Sequence, residues 1–140
     1  MMRNTVYGRM FDRLANLIPS FQTVRSGAVF YAAPRQPDDM AVYCCVTELE
    51  GDRLMIELAD DRTKDGKNIP APWLKLRVSF AEHAAEVLEL EDVHGYQVIY
   101  HGDHVVNPKR AQLNVFAVNW LQTLINFEVA FRPVDMPVVA

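Results

Sequence analysis

The chain predicts an α+β fold: an N-terminal helix, an antiparallel meander of five or six strands, and a long C-terminal helix packed across the sheet. Two observations carry that expectation. The first is residues 107–126, NPKRAQLNVFAVNWLQTLIN, in which Leu113, Phe116, Ala117, Trp120, Leu121 and Leu124 recur at three-and-four spacing and so share one helix face. Asn114, Asn119, Gln122 and Asn126 mark its other sides. The second is the patterning of residues 27–100, where short runs of strand formers are separated by Gly, Pro and Asp. An apolar helix face needs a surface to cover, and the open face of a sheet supplies one.

In chain order, residues 7–19 predict a short helix in which Met10, Phe11, Leu14, Leu17 and Ile18 share a face and Pro19 marks the end. Residues 27–33 are rich in strand formers, and PRQPDD after them is a loop. Residues 41–49 and 53–59 predict two strands joined at Glu50-Gly51-Asp52, where Gly51 can take the positive φ of a tight hairpin. Residues 60–71 hold almost nothing to bury and predict the longest loop and the mobile element. The next run alternates cleanly: Leu74, Leu76, Val78 and Phe80 fall on one face and Trp73, Lys75, Arg77 and Ser79 on the other. Residues 81–92 favour helix by propensity but are short and flanked by strands, so 85–91 are read as a strand. A further strand covers 96–100, entered through Gly95, and HGDHVVN leads to the long helix, which Asn107 caps and Pro108 opens. FEVAFR, residues 127–132, returns to period two ahead of an extended tail at 133–140. It either pairs with the first strand of its own sheet or lies at an open edge. In the second case the tail, with Met136, Val138 and Val139, crosses to another subunit and forms a homodimer.

A length of 140 residues predicts one domain, 1–140, and a half-hydrophobic composition a globular one. The net charge of −4 offers no basic field for a phosphate backbone, which argues against nucleic acid as a partner. Apolar runs fall short of a membrane span and the N-terminus lacks a signal-peptide pattern, so the expectation is a soluble cytoplasmic protein without membrane contact. Cys44 and Cys45 are neighbours in a strand-like run and should face opposite ways, which disfavours a disulfide and fits a reducing compartment.

No Gly-rich phosphate loop, nucleophile elbow or HExxH stretch occurs. His101, Asp103 and His104 are groups that bind zinc, but their spacing matches no zinc motif, and no metal ligand is assigned. Asp60, Asp61 and Asp65 lack the alternating oxygen ligands of a Ca²⁺ loop. Cys44 has no activating partner nearby in sequence. A hairpin centred on Ala81-Glu82 sets Arg77 opposite Glu86, which reads first as a cross-strand ion pair and second as an anion-binding or acid/base pair.

Ala85-Glu86-Val87 nine residues after Arg77, then Tyr100, then Ala111-Gln112-Leu113-Asn114, Phe116 and Trp120-Leu121, resemble the YqiB-like family of small bacterial proteins, a domain of unknown function. Arg13-Leu14 followed by Leu17-Ile18-Pro19 is similar to that family's N-terminal helix. The chain departs from the family pattern at Phe80-Ala81, at HGDHVV and at Pro108-Lys109. The resemblance implies one YqiB-like domain and no established activity.

Three function classes follow. A non-catalytic binding or adaptor protein is preferred, because core packing accounts for most apolar residues and no catalytic constellation is left over. The second is a small-molecule binder, for instance of a nucleotide, with the ligand in a groove under the long helix lined by Trp120, Phe116 and the 74–80 face. The third is a metal-assisted hydrolase built on His101, Asp103 and His104. The candidate ligand-binding residues are Arg77, Glu86, Arg110 and Gln112, with no catalytic residue and no cofactor assigned.

Overall fold

The computed structural model describes residues 5–34, 41–50, 53–60, 63–64, 67–68, 72–92 and 94–134, without the side chains of 48–50, 63–64 and 67–68. Helix α1, Val6–Leu17, begins where the Thr5 hydroxyl accepts from the Gly8 N–H at 3.1 Å, and ends as Ile18 turns extended. A single 3-10 turn, Phe21–Thr23, leads to β1, Val29–Ala32. Strands β2 (Val42–Glu50) and β3 (Arg53–Asp60) follow. The expected Gly51 turn and the 35–40 stretch lie outside the described residues.

The polar stretch expected to be a plain loop carries a ladder of its own, β4 (Thr63–Lys64) against β5 (Lys67–Asn68). Then come β6 (Trp73–Ser79), β7 (Ala84–Asp92) and β8 (Gly95–Val98). The strand expected over 96–100 ends as β8 at Val98; the buried Ile99 still donates its N–H to the Leu88 carbonyl (3.0 Å), in register with β7, while its carbonyl accepts from the Val106 N–H (2.8 Å). Beyond it β9 (Tyr100–His101) pairs with β10 (His104–Val105), so HGDHVVN is a hairpin turned at Gly102, φ 62°. Helix α2, Arg110–Asn126, and β11, Arg132–Pro133, complete the chain.

The main sheet has seven antiparallel strands in the order β11-β1-β2-β3-β6-β7-β8. It is a meander with one addition, because β11 returns to pair with β1 through Tyr31 opposite Arg132. The FEVAFR segment thus meets the first strand of its own sheet, with Phe131 buried and the ladder confined to its last residue and Pro133. The tail from 135 onward lies outside the described residues.

Period-two alternation sets the core. Val42, Cys44 and Val46, Leu54, Ile56 and Leu58, and Leu74, Leu76 and Val78 all point to the face that the helices cover. Two bulges shift the register, at Thr47 in β2 and at Leu88 in β7. The second matters for packing: Ala85 and Val87 face inward before it and Leu90 after it, a change of phase that strict alternation cannot make. Phe11, Phe21, Phe80 and the His83 ring close one end of the core, with ring centroids 4.0 to 6.0 Å apart. Cys44 and Cys45 face opposite ways as expected and both are free, and burial pushes the Cys44 thiol far up.

Both helices lie on one side of the sheet, α2 packing on α1 and on β7. The expected stripe on α2 is rotated. Ala117, Trp120, Leu121 and Leu124 are buried, but Leu113 is half-buried, Phe116 is 38 % exposed and Asn114 is fully buried. Asn107 caps differently from expectation: its side chain accepts from the Lys109 N–H at 2.9 Å, one residue before α2 begins, and Pro108 stays outside the helix. Among the described residues no helix is long and apolar enough to cross a membrane.

Candidate functional site

The hairpin register puts Arg77 on β6 opposite Glu86 on β7, as the sequence predicts. Their side chains meet on the sheet face away from the core, where Arg77 Nε donates to Glu86 Oε1 at 3.1 Å and Nη2 joins the same oxygen. The other carboxylate oxygen is served from the sheet edge. β8 pairs with β7 only from Glu89 to Asp92, so the first half of β7 has no strand on that side. Tyr100 and the start of α2 fill the gap. The Tyr100 hydroxyl donates to Glu86 Oε2 at 2.7 Å, and Arg110 Nη2, at the first residue of α2, reaches it at 3.3 Å.

Asn114 anchors α2 at this place. Its Oδ1 accepts from the Val87 N–H at 2.9 Å and its Nδ2 donates to the Arg110 carbonyl at 2.9 Å, so one amide satisfies the strand edge and holds the first turn of the helix. The apolar pattern places Asn114 on an outer side of α2; its burial follows from the orphan N–H beside the β7 bulge, which apolar periodicity does not register.

Arg77, Glu86, Tyr100 and Arg110 line a cleft of about 320 Å³ that also takes in Tyr7 of α1 and Arg53, the first residue of β3. The Arg110 guanidinium lies 5.4 Å from the Tyr7 ring centre and 5.7 Å from that of Tyr100, and Arg77 lies 5.3 Å from the Tyr100 ring. Burial alone pushes the Glu86 carboxyl up, but the Tyr100 hydroxyl and the two guanidinium groups outweigh it and hold the group below the usual carboxylate value. Burial and the neighbouring carboxylate push the Tyr100 phenol up. Glu86 is thus the ionised acceptor and Tyr100 the neutral donor at neutral pH. Arg110 Nε is buried and has no hydrogen-bond partner.

Three of the four expected ligand-binding residues, Arg77, Glu86 and Arg110, meet in this cleft; Gln112 is exposed on α2 and does not line it. The groove expected under the helix is filled, since Leu74, Leu76 and Val78 are fully buried and Phe116 turns to solvent. Sequence reasoning missed Tyr7 and Arg53, which no local pattern ties to the hairpin. His101 and His104 stand opposite each other on the exposed β9–β10 ladder, and among the described residues no cluster of three metal-binding side chains forms. Asp61 and Asp65 lie outside the described residues. The chain matches no family model, no curated protein and no solved structure, so the chemistry of the cleft rests on its own side chains.

Proposed function

We propose that the chain is a binding protein whose cleft between the β6–β7 hairpin and the first turns of α1 and α2 takes a small anionic molecule. The observation that carries this reading is the convergence of Arg53, Arg77 and Arg110 on one cleft, in a chain of net charge −4. The Arg77 and Arg110 guanidinium groups, held by Glu86 and against the tyrosine rings, lose little freedom when an anion arrives. Glu86, the carboxylate between Arg77 and Arg110, is held ionised by three donors, which makes it a poor proton acceptor. The small-molecule reading is therefore favoured over an enzyme. The test is a thermal-shift series against phosphate, sulfate and small carboxylates, repeated with Arg77→Gln and Arg110→Gln. A ligand that binds only the folded chain raises the midpoint, by about 2.7 kcal/mol of stability at a hundredfold excess over Kd. A midpoint raised equally in the variants, or in no anion, refutes the cleft.

An adaptor is the second reading, favoured by the edge of the sheet at β8, where Tyr96 and Val98 are exposed and Val105 and Val106 are exposed beside them. A partner strand would pair there. Gln97→Pro should then abolish a complex that survives Arg77→Gln.

Membership of the YqiB-like family is proposed on the same residues. Its support is that the positions carrying the resemblance, Arg77, Glu86, Tyr100 and Asn114, gather at and behind one cleft.

A further inference from the structure

The cleft has a resident carboxylate whose acceptor capacity is already used. Glu86 Oε1 takes Arg77 through Nε and Nη2, and Oε2 takes the Tyr100 hydroxyl and Arg110 Nη2, which accounts for the roughly four lone-pair directions of a carboxylate. Glu86 has nothing left with which to accept from a ligand. What the cleft still presents is donors. Arg77 commits one edge of its guanidinium to Glu86 and Arg110 only its Nη2, so Nη1 of both remains. Arg53 adds a third guanidinium from β3, where it stands opposite Ser79 on the strand that carries Arg77.

Charge narrows the ligand further. Three guanidinium charges stand against the carboxylates of Glu86 and Glu82, an excess of one, with Arg53 and Glu82 both at exposed positions where solvent screens them. A carboxylate or a phosphodiester offers two charged oxygens, one fewer than the guanidinium groups that line the cleft. A phosphate monoester carries about −1.5 to −2 charges at neutral pH and three strong acceptor oxygens. The volume, about 320 Å³, lies at the small end of ligand pockets, and the Tyr7 and Tyr100 rings already face guanidinium groups. The group attached to the phosphate is accordingly small and is not held by ring stacking.

Resting on the anion-binding reading above, we propose that the cleft recognises a small phosphomonoester, its dianionic phosphate lying among Arg53, Arg77 and Arg110. The titratable and charged groups facing that position are Glu82, Glu86, Tyr7, Tyr100 and the three arginines; His83, on the same turn as Glu82, is engaged instead with Asp12 of α1 at 2.6 Å.

Calorimetric titration of the full chain with methyl phosphate, dimethyl phosphate and acetate tests this. Methyl phosphate should bind at least about tenfold more tightly than the other two at about pH 7.5, and weaken about tenfold at about pH 5 as its own second proton returns, with acetate, ionised over most of that range, as the control for the protein's own groups. Dimethyl phosphate or acetate binding as tightly as methyl phosphate overturns the phosphomonoester and leaves the anion site standing. No binding of any of the three overturns both. Arg53→Gln, at an exposed position, should lower methyl phosphate affinity about tenfold or more with an unchanged urea midpoint. An unchanged affinity would refute the three-guanidinium site.

Discussion

At the scale of single residues, the most informative side chain is Asn114. Its amide is fully buried and bonded on both sides, to the Val87 N–H and the Arg110 carbonyl. Asn114→Leu fills a similar volume but strands the Val87 N–H away from water, which should cost about 1–3 kcal/mol, read as a lower urea midpoint. The same change should loosen Arg110 and weaken anion binding beyond what the stability loss explains. Trp120 is the second test. It is 9 % exposed and sits among Ala117, Leu121 and Leu124 on α2, so Trp120→Ala should cost about 3–5 kcal/mol. An unchanged urea midpoint in that variant would mean that the helix face is not the one described.

At the scale of elements, the β6–β7 hairpin joins fold to site, because the register that pairs the two strands also sets Arg77 opposite Glu86. The turn between them is held by the left-handed His83 (φ 53°), whose Nε2 meets Asp12 of α1 at 2.6 Å. The hairpin has a pH signature. Glu86 has a folded pKa below its unfolded value, near 4.3 for a free glutamate, so the folded state binds this proton less readily than the unfolded chain. The associated stability is therefore fully present above about pH 5 and is lost as pH falls through the folded pKa. Stability curves of the wild type and Glu86→Gln, measured by urea unfolding from neutral to acid pH, should converge as the pH drops below about 4. A gap that widens toward acid would mean the carboxyl is not held ionised.

For the whole molecule, the return of β11 to β1 closes one edge of a seven-strand sheet and carries Phe131, 4 % exposed, into the core. A chain ending at Asn126 loses both. Removing a buried phenylalanine alone costs about 3–5 kcal/mol, a large part of the roughly 5–15 kcal/mol that an ordinary domain has, and the bared β1 edge is a template for aggregation. The truncated chain should unfold at a much lower urea concentration and associate as its concentration rises, checked by light scattering. A folded truncated chain with an unchanged midpoint would show that β11 contributes nothing to the sheet.

Periodicity in the chain determined which residues of β6 face the core, where the β6–β7 hairpin turns, and that Arg77 meets Glu86. It also marked α1 and most of the buried face of α2, because the facing of a side chain within one element depends only on near neighbours in sequence. The rest was decided by tertiary structure. The Leu88 bulge moves the inward set of β7 by one residue, the short β8 leaves the Val87 N–H without a strand partner, and only the placement of α2 beside that gap explains why Asn114 is buried while Phe116 is exposed. Tyr7, Arg53, Tyr100 and Arg110 come from four separate elements and meet through the packing of α1 and α2 on each other and on β7. A sequence pattern carries no record of such meetings, since each residue obeys its own local period whether or not the others are near.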